Sequence, residues 1–280
     1  MKKTMAIISL AALLFAACDK IEPGENGEYT VYAGSVATWT DGTPVANPVQ
    51  RALVEKFTGP KCVNCPTADR ILNEAHGRIG DQMVLYSINP SGGDGEAFEG
   101  QPDVSTPDGD QWALAFGGST NMTLPQAMVN RDTTFKGAPS MSGVEAVVNG
   151  ILAQGPAVAV ELTAATAANG KTDIDVTVGF VQASASQLTL TLVLTEDSLV
   201  YMQAGSSDPM YCHNHMLRDV ITDVWGLDVD AQGNAGETRL AHFSYSLPDG
   251  VVKENCHIVA FVSDKASRRV VNCAQCKIDE

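Results

Sequence analysis

The first half of the chain mixes two hydrophobic periods. Residues 51–58 and 83–88 are short runs rich in aliphatic and aromatic side chains, which is the pattern of buried strands. Between them, residues 67–79 place four apolar side chains at helical spacing: Ala68, Ile71, Leu72 and Ala75. Strand, helix and strand joined by short connections predict a parallel βαβ unit.

The segment at residues 89–120 interrupts this pattern. It is rich in Gly, Asp, Pro and Ser, and only residues 112–116 are apolar enough to form a short helix. Long connections of this kind are often functional. We therefore expect an insertion that lies beside the sheet.

From Pro156 onward the helical period disappears. Six segments alternate or run apolar over strand lengths: 157–162, 173–180, 187–195, 237–245, 256–262 and 268–273. Turn residues such as those at 168–170 and 248–250 separate the segments. Many short strands at near-regular spacing predict an antiparallel β-sandwich, so the expected fold class is α/β plus all-β.

The N-terminal residues have the parts of a secretory signal. Two lysines precede an apolar run at residues 5–15, and two alanines precede Cys18. Residues 15–18 resemble the lipobox of bacterial lipoproteins, which implies a signal peptide at 1–17 and a lipid on Cys18; an ordinary cleaved signal is the alternative. The polar, acidic residues 18–28 predict a flexible, lipidated tether.

The charge of the mature chain limits the classes of molecule that it is expected to bind. From Cys18 onward the chain carries 16 basic and 33 acidic residues, a formal charge of −17. This balance argues against nucleic acid and against electrostatic adhesion to anionic lipid. We expect membrane attachment through the lipid on Cys18, an unidentified protein substrate or surface partner, and no cofactor.

The pair Cys62 and Cys65 is the strongest chemical signal in the chain. It lies after a predicted strand and at the start of a predicted helix, and it could be a redox pair, a structural staple or half of a metal site. A helix N-terminus stabilises a thiolate, so in the redox interpretation Cys62 attacks and Cys65 resolves the mixed disulfide.

The sequence VEKFTGPKCVNC, residues 54–65, resembles the active-site segment of thioredoxin-fold proteins. The resemblance implies a cis proline opposite the dithiol. Thr123-Leu124-Pro125, followed by QAMVN, matches that pattern. Pro125 is therefore expected to be cis, to lie beside Cys62 and to present substrate backbone.

Two positions depart from the thioredoxin pattern. Lys61 stands where thioredoxins keep a tryptophan, and its charge could help to hold a thiolate. Lys56 stands in register with the expected buried acid, and Glu55 is next to it. We interpret Glu55 as a solvated strand residue rather than as a proton shuttle.

The whole chain also resembles a narrower family, the lipoproteins related to outer membrane protein twenty-eight of Bacteroidota. The matching segments are FTGPKCVNCP at residues 57–66, PQAMVNR at 125–131 and YCHNHMLR at 211–218. The resemblance implies a thioredoxin-like domain at 29–150, a β-sandwich domain at 155–280 and an outer-membrane location. It does not imply a settled activity.

The sequence MYCHNHM at residues 210–216 contains Met, Cys and His side chains, which are soft metal ligands. In a strand, His213 and His215 would share one face, and His257 on a neighbouring strand could complete a three-imidazole cluster. The preferred interpretation is that these histidines complete hydrogen bonds and hold no metal.

The remaining cysteines are candidates for disulfides. Cys212 could meet Cys256 across neighbouring strands, Cys256 could meet Cys273 through a bulge, and Cys273 could close a short loop with Cys276. The expected hairpin register places Cys256 opposite Gln275 and Cys273 opposite Ile258, so a direct pair is not predicted. A zinc site built from the two CxxC pairs is the disfavoured alternative.

Two functions fit these patterns. The first is an anchored thiol–disulfide oxidoreductase that uses Cys62, Cys65 and Pro125. The second is a surface binding or adhesion lipoprotein that keeps Cys62–Cys65 as a staple. The fold alone does not choose between them.

Overall fold

The computed structural model describes residues 29–32, 35–208 and 210–279, and in these ranges the chain is a β-rich mixed α/β protein. The predicted signal peptide, the tether and Cys18 lie outside the described residues.

The described residues form sixteen strands and three α-helices. The strands are β1 Tyr29–Tyr32, β2 Ser35–Asp41, β3 Ala52–Phe57, β4 Met83–Ile88, β5 Gln126–Val129, β6 Thr133–Lys136, β7 Val158–Thr166, β8 Thr172–Phe180, β9 Leu188–Glu196, β10 Leu199–Met202, β11 Met210–His213, β12 Met216–Val220, β13 Leu227–Asp228, β14 Thr238–Tyr245, β15 Cys256–Asp264 and β16 Val270–Lys277. The helices are α1 Cys65–Ile79, α2 Pro107–Trp112, which continues as a π-helical turn at Ala113–Gly117, and α3 Met141–Leu152. Short 3₁₀ turns lie at Gly80–Gln82, Gly93–Gly95 and Lys253–Asn255.

The predicted βαβ unit is confirmed as β3–α1–β4. β3 and β4 are parallel, in register from Ala52 opposite Met83 to Phe57 opposite Ile88. Both strands are buried along their whole length, as parallel strands covered on two faces usually are. α1 buries Ala68, Leu72 and Ala75, one stripe of a helical surface.

The largest sheet has nine strands among the described residues, in the order β16-β15-β9-β12-β4-β3-β5-β6, with β13 paired to β9. β12 connects its two parts, because Met216 pairs in parallel with Ser87 of β4 while β12 runs antiparallel to β9. The predicted boundary near residues 150–156 lies at the end of α3 and before β7. Strands from both sides of this boundary belong to the sheet.

The second sheet is antiparallel, with five described strands in the order β1-β2-β14-β8-β7. One buried apolar cluster, here called the sandwich core, joins it to β9, β15 and β16. Its largest fully buried members include Phe243 and Tyr245 on β14. Two sheets therefore pack face to face around this core, and one of them also contains strands from the first half of the chain.

The other face of β9 and β15 packs against a different cluster, here called the central core. Its members include Val193 of β9, Phe261 of β15, Trp112 of α2, and both Cys62 and Cys65. A third cluster lies beneath the helices, where Leu72 of α1 meets Val144 and Val148 of α3. The nine-stranded sheet thus carries packed side chains on both faces.

Several elements were not predicted. α3 begins at Ser140, whose hydroxyl accepts a hydrogen bond from the Gly143 amide at 3.1 Å, a typical N-cap. The two-stranded sheet of β10 and β11 was also missed. The short helix expected at 112–116 is the end of α2 and the π-helical turn.

The register of the β15–β16 hairpin differs from the expected one. Cys273 lies opposite Phe261, and Cys276 lies opposite Ile258. The reason is that β15 extends to Asp264 and the pairing shifts between Val262 and Ser263, a feature that sequence patterning does not specify.

No helix in the described part of the chain is long and apolar enough to span a bilayer.

Candidate functional site

The CxxC loop connects β3 to α1. Cys62 and Cys65 form a disulfide with a Cα–Cα distance of 5.4 Å. The loop is a series of tight turns, in which the Cys62 amide donates to the Gly59 carbonyl at 3.1 Å and the Cys65 amide donates to the Cys62 carbonyl at 3.3 Å. Pro66 occupies the first turn of α1, where its missing N–H costs no helical hydrogen bond.

Both sulfur-bearing residues are buried. Cys62 is 1% exposed and Cys65 is fully buried, whereas Val63 between them is 65% exposed. α1 begins at Cys65, three residues after Cys62. In this conformation Cys62 is therefore not accessible to a substrate disulfide.

Residues 203–205, which follow β10, cover the disulfide, and we call them the covering segment. The Gln203 side-chain amide donates to the carbonyl of Cys62 at 2.9 Å and to that of Gly59 at 3.1 Å. The Ala204 amide donates to the Pro60 carbonyl at 2.7 Å. Backbone carbonyls of the CxxC loop thus meet donors from a segment about 140 residues away in sequence.

The fit of the covering segment requires a glycine. Gly205 has a φ of +76°, in the left-handed region, and a Cβ there would collide with the carbonyl oxygen of Val63. The backbone of the covering segment therefore lies directly against the loop.

The Leu124–Pro125 peptide bond is cis, as the thioredoxin resemblance implies. β5 follows directly, and its Gln126 pairs with Phe57 at the end of β3. Leu124 belongs to the same buried cluster as Cys62 and Cys65. The proline loop and the CxxC loop therefore lie at the same end of β3.

A buried ion pair lies on the central-core face of β3. Glu55 is fully buried, and its carboxylate accepts two hydrogen bonds from Arg131, at 2.8 Å from Nη2 and 2.9 Å from Nε. The Tyr86 hydroxyl also donates to Glu55. The interpretation of Glu55 as a solvated residue is therefore wrong, because a strand in the middle of a sheet has no solvated face.

Aromatic rings hold the guanidinium of Arg131. It lies 4.7 Å from the ring centres of Trp112 and Phe261 and 5.1 Å from that of Phe116. Arg131 has a φ of +56°, and this left-handed conformation allows its side chain to turn back over the sheet after β5. Cation–π contacts and the bidentate pair together offset the loss of hydration of the charge.

Lys56 occupies the opposite face of β3. Its ammonium group is paired with Asp69 of α1, and burial lowers the pKa of Lys56 to about 7. The Tyr211 hydroxyl also donates to Asp69, at 3.4 Å. Lys61 is engaged differently, because its ammonium group lies 2.8 Å from Glu96 in the insertion.

The three-histidine cluster, the disfavoured alternative for this segment, does not form. The His213 ring stacks on Tyr201 with centroids 3.6 Å apart, and burial lowers the pKa of His213 to about 4. His215 Nδ1 lies 3.2 Å from Asp197, and His257 Nδ1 lies 3.7 Å from the same carboxylate. His215 has a φ of +59°, so the strand alternation that would have placed it beside His213 is broken.

No group of three or more His, Cys, Asp or Glu side chains in the described ranges is arranged to hold a metal ion. The sequence offered no direct signal for Gln203 or for the partner of Glu55. A Gln and an Arg are common surface residues, and only the tertiary fold brings them to the CxxC loop and to β3.

The other predicted disulfides are also corrected. Cys212 is exposed on β11, which pairs with β10 and not with β15. Cys256 is a buried thiol that donates to the Val252 carbonyl at 3.2 Å, and burial raises its pKa to about 12. Cys273 packs in the central core and Cys276 against the sandwich core. Their spacing of three places them on opposite faces of β16.

Solved structures share this fold at low sequence identity. HBP35 of Porphyromonas gingivalis matches with a TM-score of 0.63 and 16% identity over 84% of this chain and 77% of that chain. Protein AGR_C_4864 from Agrobacterium tumefaciens matches with a TM-score of 0.54 and 16% identity over 82% of this chain and 95% of that chain. These similarities concern the fold alone.

A domain of the outer membrane lipoprotein Omp28 from P. gingivalis is 21% identical over 44% of this chain and 88% of that domain, with a TM-score of 0.32. Comparison with curated proteins gives no match. The family model described as outer membrane protein Omp28 matches residues 114–280, more than half of the sequence. From the match of this family model, the chain belongs to the Omp28 outer membrane protein family, and its place is the outer membrane of the cell envelope.

Proposed function

We propose that this protein is an outer-membrane lipoprotein, anchored through a lipid on Cys18, whose folded part binds an extracytoplasmic ligand or partner. In this proposal Cys62–Cys65 is a structural disulfide. The division into a thioredoxin-like part at 29–150 and a β-sandwich part at 155–280 is also a proposal. The β3–α1–β4 unit and cis Pro125 support its first part.

The sealing of Cys62 is the observation that carries the proposal. A thiolate must reach a disulfide sulfur in line for exchange, so a sulfur at 1% exposure under the covering segment is a poor partner. The hydrogen bonds from Gln203 and Ala204 hold that cover in place. A disulfide enclosed in this way is suited to fixing the turn before α1.

Thiol–disulfide exchange is the second candidate. The CxxC pair lies at the same end of β3 as cis Pro125 and directly before a helix, and both features favour this chemistry. Exchange would require the covering segment to leave the CxxC loop. Starting from the Cys62–Cys65 disulfide, a substrate thiolate would attack the Cys62 sulfur and release the Cys65 thiolate, and a second substrate thiolate would then displace Cys62, which leaves a substrate disulfide and a protein dithiol.

A redox titration with thiol trapping separates the two candidates. For a structural disulfide we expect a reduction potential below about −300 mV, whereas known oxidoreductases lie at about −270 to −120 mV. The same chain with Cys62→Ser is the control for the assignment of the trapped thiols. A potential in the oxidoreductase range, together with exchange against a model disulfide, would overturn the structural role of the disulfide and assign thiol–disulfide exchange to Cys62–Cys65.

The anchor has its own test. Replacement of Cys18 by Ser should prevent lipid attachment and release the protein from the membrane fraction into the soluble envelope fraction. If the Cys18→Ser protein remains in the membrane fraction as completely as the wild type, the lipid anchor is rejected.

A further inference from the structure

A polar cavity of about 560 Å³ lies at the end of the nine-stranded sheet, on the central-core side. It opens where β9 begins and β15 ends, next to the loop that contains Trp225. This volume falls within the usual range of small-molecule sites in proteins. The cavity is separate from the CxxC loop, because no residue of that loop lines it.

Hydroxyl groups form the floor of the cavity. Val193 and Phe261 belong to the central core, but Thr189, Thr191 and Ser263 occupy the next positions on the same face of their strands. The Ser263 hydroxyl oxygen is buried and has no hydrogen-bond partner in the described protein. Such an atom lacks a hydrogen bond that a ligand could supply.

A cationic side chain with no ion-pair partner among the described residues lies at the rim of the cavity. The guanidinium of Arg268 stacks on the Trp225 ring at 3.6 Å, which leaves its in-plane N–H donors available. Within the described ranges no carboxylate lies within ion-pair distance of Arg268. Its neighbour Arg269 is paired with Asp132 at 2.8 Å, and Lys265 is paired with Asp228 at 2.7 Å.

These features define one chemical class of ligand. A planar guanidinium fork with no ion-pair partner among the described residues matches a carboxylate, and a row of hydroxyls matches a polyol. The rim also carries Asp223 and Asp228, which would repel a ligand with several negative charges.

We propose that this cavity binds a sugar acid, a small polyhydroxylated ligand with a single carboxylate. Arg268, held against the Trp225 ring, binds the carboxylate, and Ser263 with the two threonines binds hydroxyls. This inference rests on the proposed binding function and names its ligand class.

The test is calorimetric titration of the mature chain with D-glucuronate and D-galacturonate, with D-glucose as the neutral comparison. We expect saturable binding of at least one acid, and weaker binding of glucose by about tenfold or more, because a charged hydrogen bond is lost. Arg268→Met should weaken binding of the acid by about tenfold or more, while Arg269→Met, which removes the adjacent paired arginine, should leave it unchanged.

The proposal is overturned if neither acid binds, or if the two arginine variants lose binding equally. Thermal unfolding of each variant shows that it is folded, and Ser263→Ala provides a second, uncharged variant that should also weaken binding. The outcome is independent of the disulfide. If the reduction potential of Cys62–Cys65 lies in the oxidoreductase range and the acid still binds, only the structural role of the disulfide is overturned. If the reduction potential is that of a structural disulfide and no acid binds, only this site is overturned.

Discussion

The two faces of β9 differ in chemistry although they belong to one strand. Leu188, Leu190, Leu192 and Leu194 point into the sandwich core, whereas Thr189, Thr191 and Val193 point to the other side. The first face continues into an apolar cluster. The second continues into a region with a buried ion pair, a disulfide and a polar cavity. The sheet therefore has an apolar core on one side of β9, and the Glu55–Arg131 pair, the disulfide and the polar cavity on the other.

This difference predicts how the stability of the protein responds to mutations on each side of the sheet. Apolar packing tolerates volume-conserving change and gains free energy roughly in proportion to the area buried. A buried ion pair contributes little net free energy when complete, but it is costly when one partner is lost. We therefore expect the central-core side to respond sharply to single polar changes and the sandwich core to respond gradually.

The largest effect is expected at Arg131. Arg131→Met leaves the carboxylate of Glu55 buried without its cation and should lower the free energy of unfolding by about 3–5 kcal/mol. Arg269→Met, which removes an exposed pair with Asp132, should cost less than about 1 kcal/mol. Urea unfolding monitored by circular dichroism measures both.

The double variant Arg131→Met with Glu55→Leu sharpens this test. Because no unpaired charge remains, part of the lost stability should return. If Arg131→Met and Arg269→Met lose equal free energy of unfolding, the central-core side does not depend on its ion pair. The expected difference between the two sides of the sheet is then rejected.

The next effect is a pH dependence from His213. The pKa of His213 is lowered to about 4 by burial, whereas an unfolded histidine titrates near 6.5. Between these values the unfolded chain binds a proton that the folded chain does not, so stability falls as the pH falls through this window. The loss should be on the order of 2 kcal/mol between pH 7.5 and pH 4.5.

His213→Phe isolates this contribution, because it keeps a ring to stack on Tyr201 and removes the titrating group. Its stability measured by urea unfolding should decline less between pH 7.5 and pH 4.5 than that of the wild type. His242→Phe, at a ring on β14 that is about half exposed, is the comparison variant. Identical acid slopes for wild type and His213→Phe would contradict the assignment.

A smaller and more local effect is expected at Gln203. Gln203→Ala removes the donors to the Gly59 and Cys62 carbonyls, so the covering segment should open more often. Reduction of Cys62–Cys65 by a fixed concentration of dithiothreitol should accelerate by about tenfold, the equivalent of about 1.4 kcal/mol. Mass spectrometry after alkylation follows the reaction.

Gln187→Ala is the matched control for Gln203. The Gln187 side chain also donates to two backbone carbonyls, those of Leu188 and Val229, but it lies at the start of β9. Its reduction rate should equal that of the wild type. An unchanged rate for Gln203→Ala would mean that this side chain does not control access to the disulfide.

Sequence patterns predicted what depends on neighbours along the chain. The helix at 67–79, the strands around it and most strands after residue 156 follow from apolar spacing, and the structure has them within a few residues. The cis bond before Pro125 followed from the resemblance of a short motif. These features are local, so a reader of the sequence has all of the information that determines them.

The features that decide the function are not local. Glu55 is buried because Arg131, 76 residues later, neutralises it. The CxxC loop is held by Gln203, whose side chain reaches the Cys62 carbonyl across 141 residues. Neither residue differs in type from an ordinary surface residue, so its role appears only when the sheet order brings distant segments together.

The smallest effect is expected in the sandwich core and completes the comparison. Ile174→Val removes one buried methylene from β8 and should lower the free energy of unfolding by about 0.5–1.5 kcal/mol. The reduction rate of Cys62–Cys65 should not change, because the sandwich core lies on the opposite face of β9 from the disulfide. Val181→Ala, at a side chain that is 42% exposed, should cost less than about 0.5 kcal/mol. If Ile174→Val accelerates reduction as much as Gln203→Ala does, opening of the disulfide is coupled to global unfolding, and the two faces of the sheet form one cooperative unit.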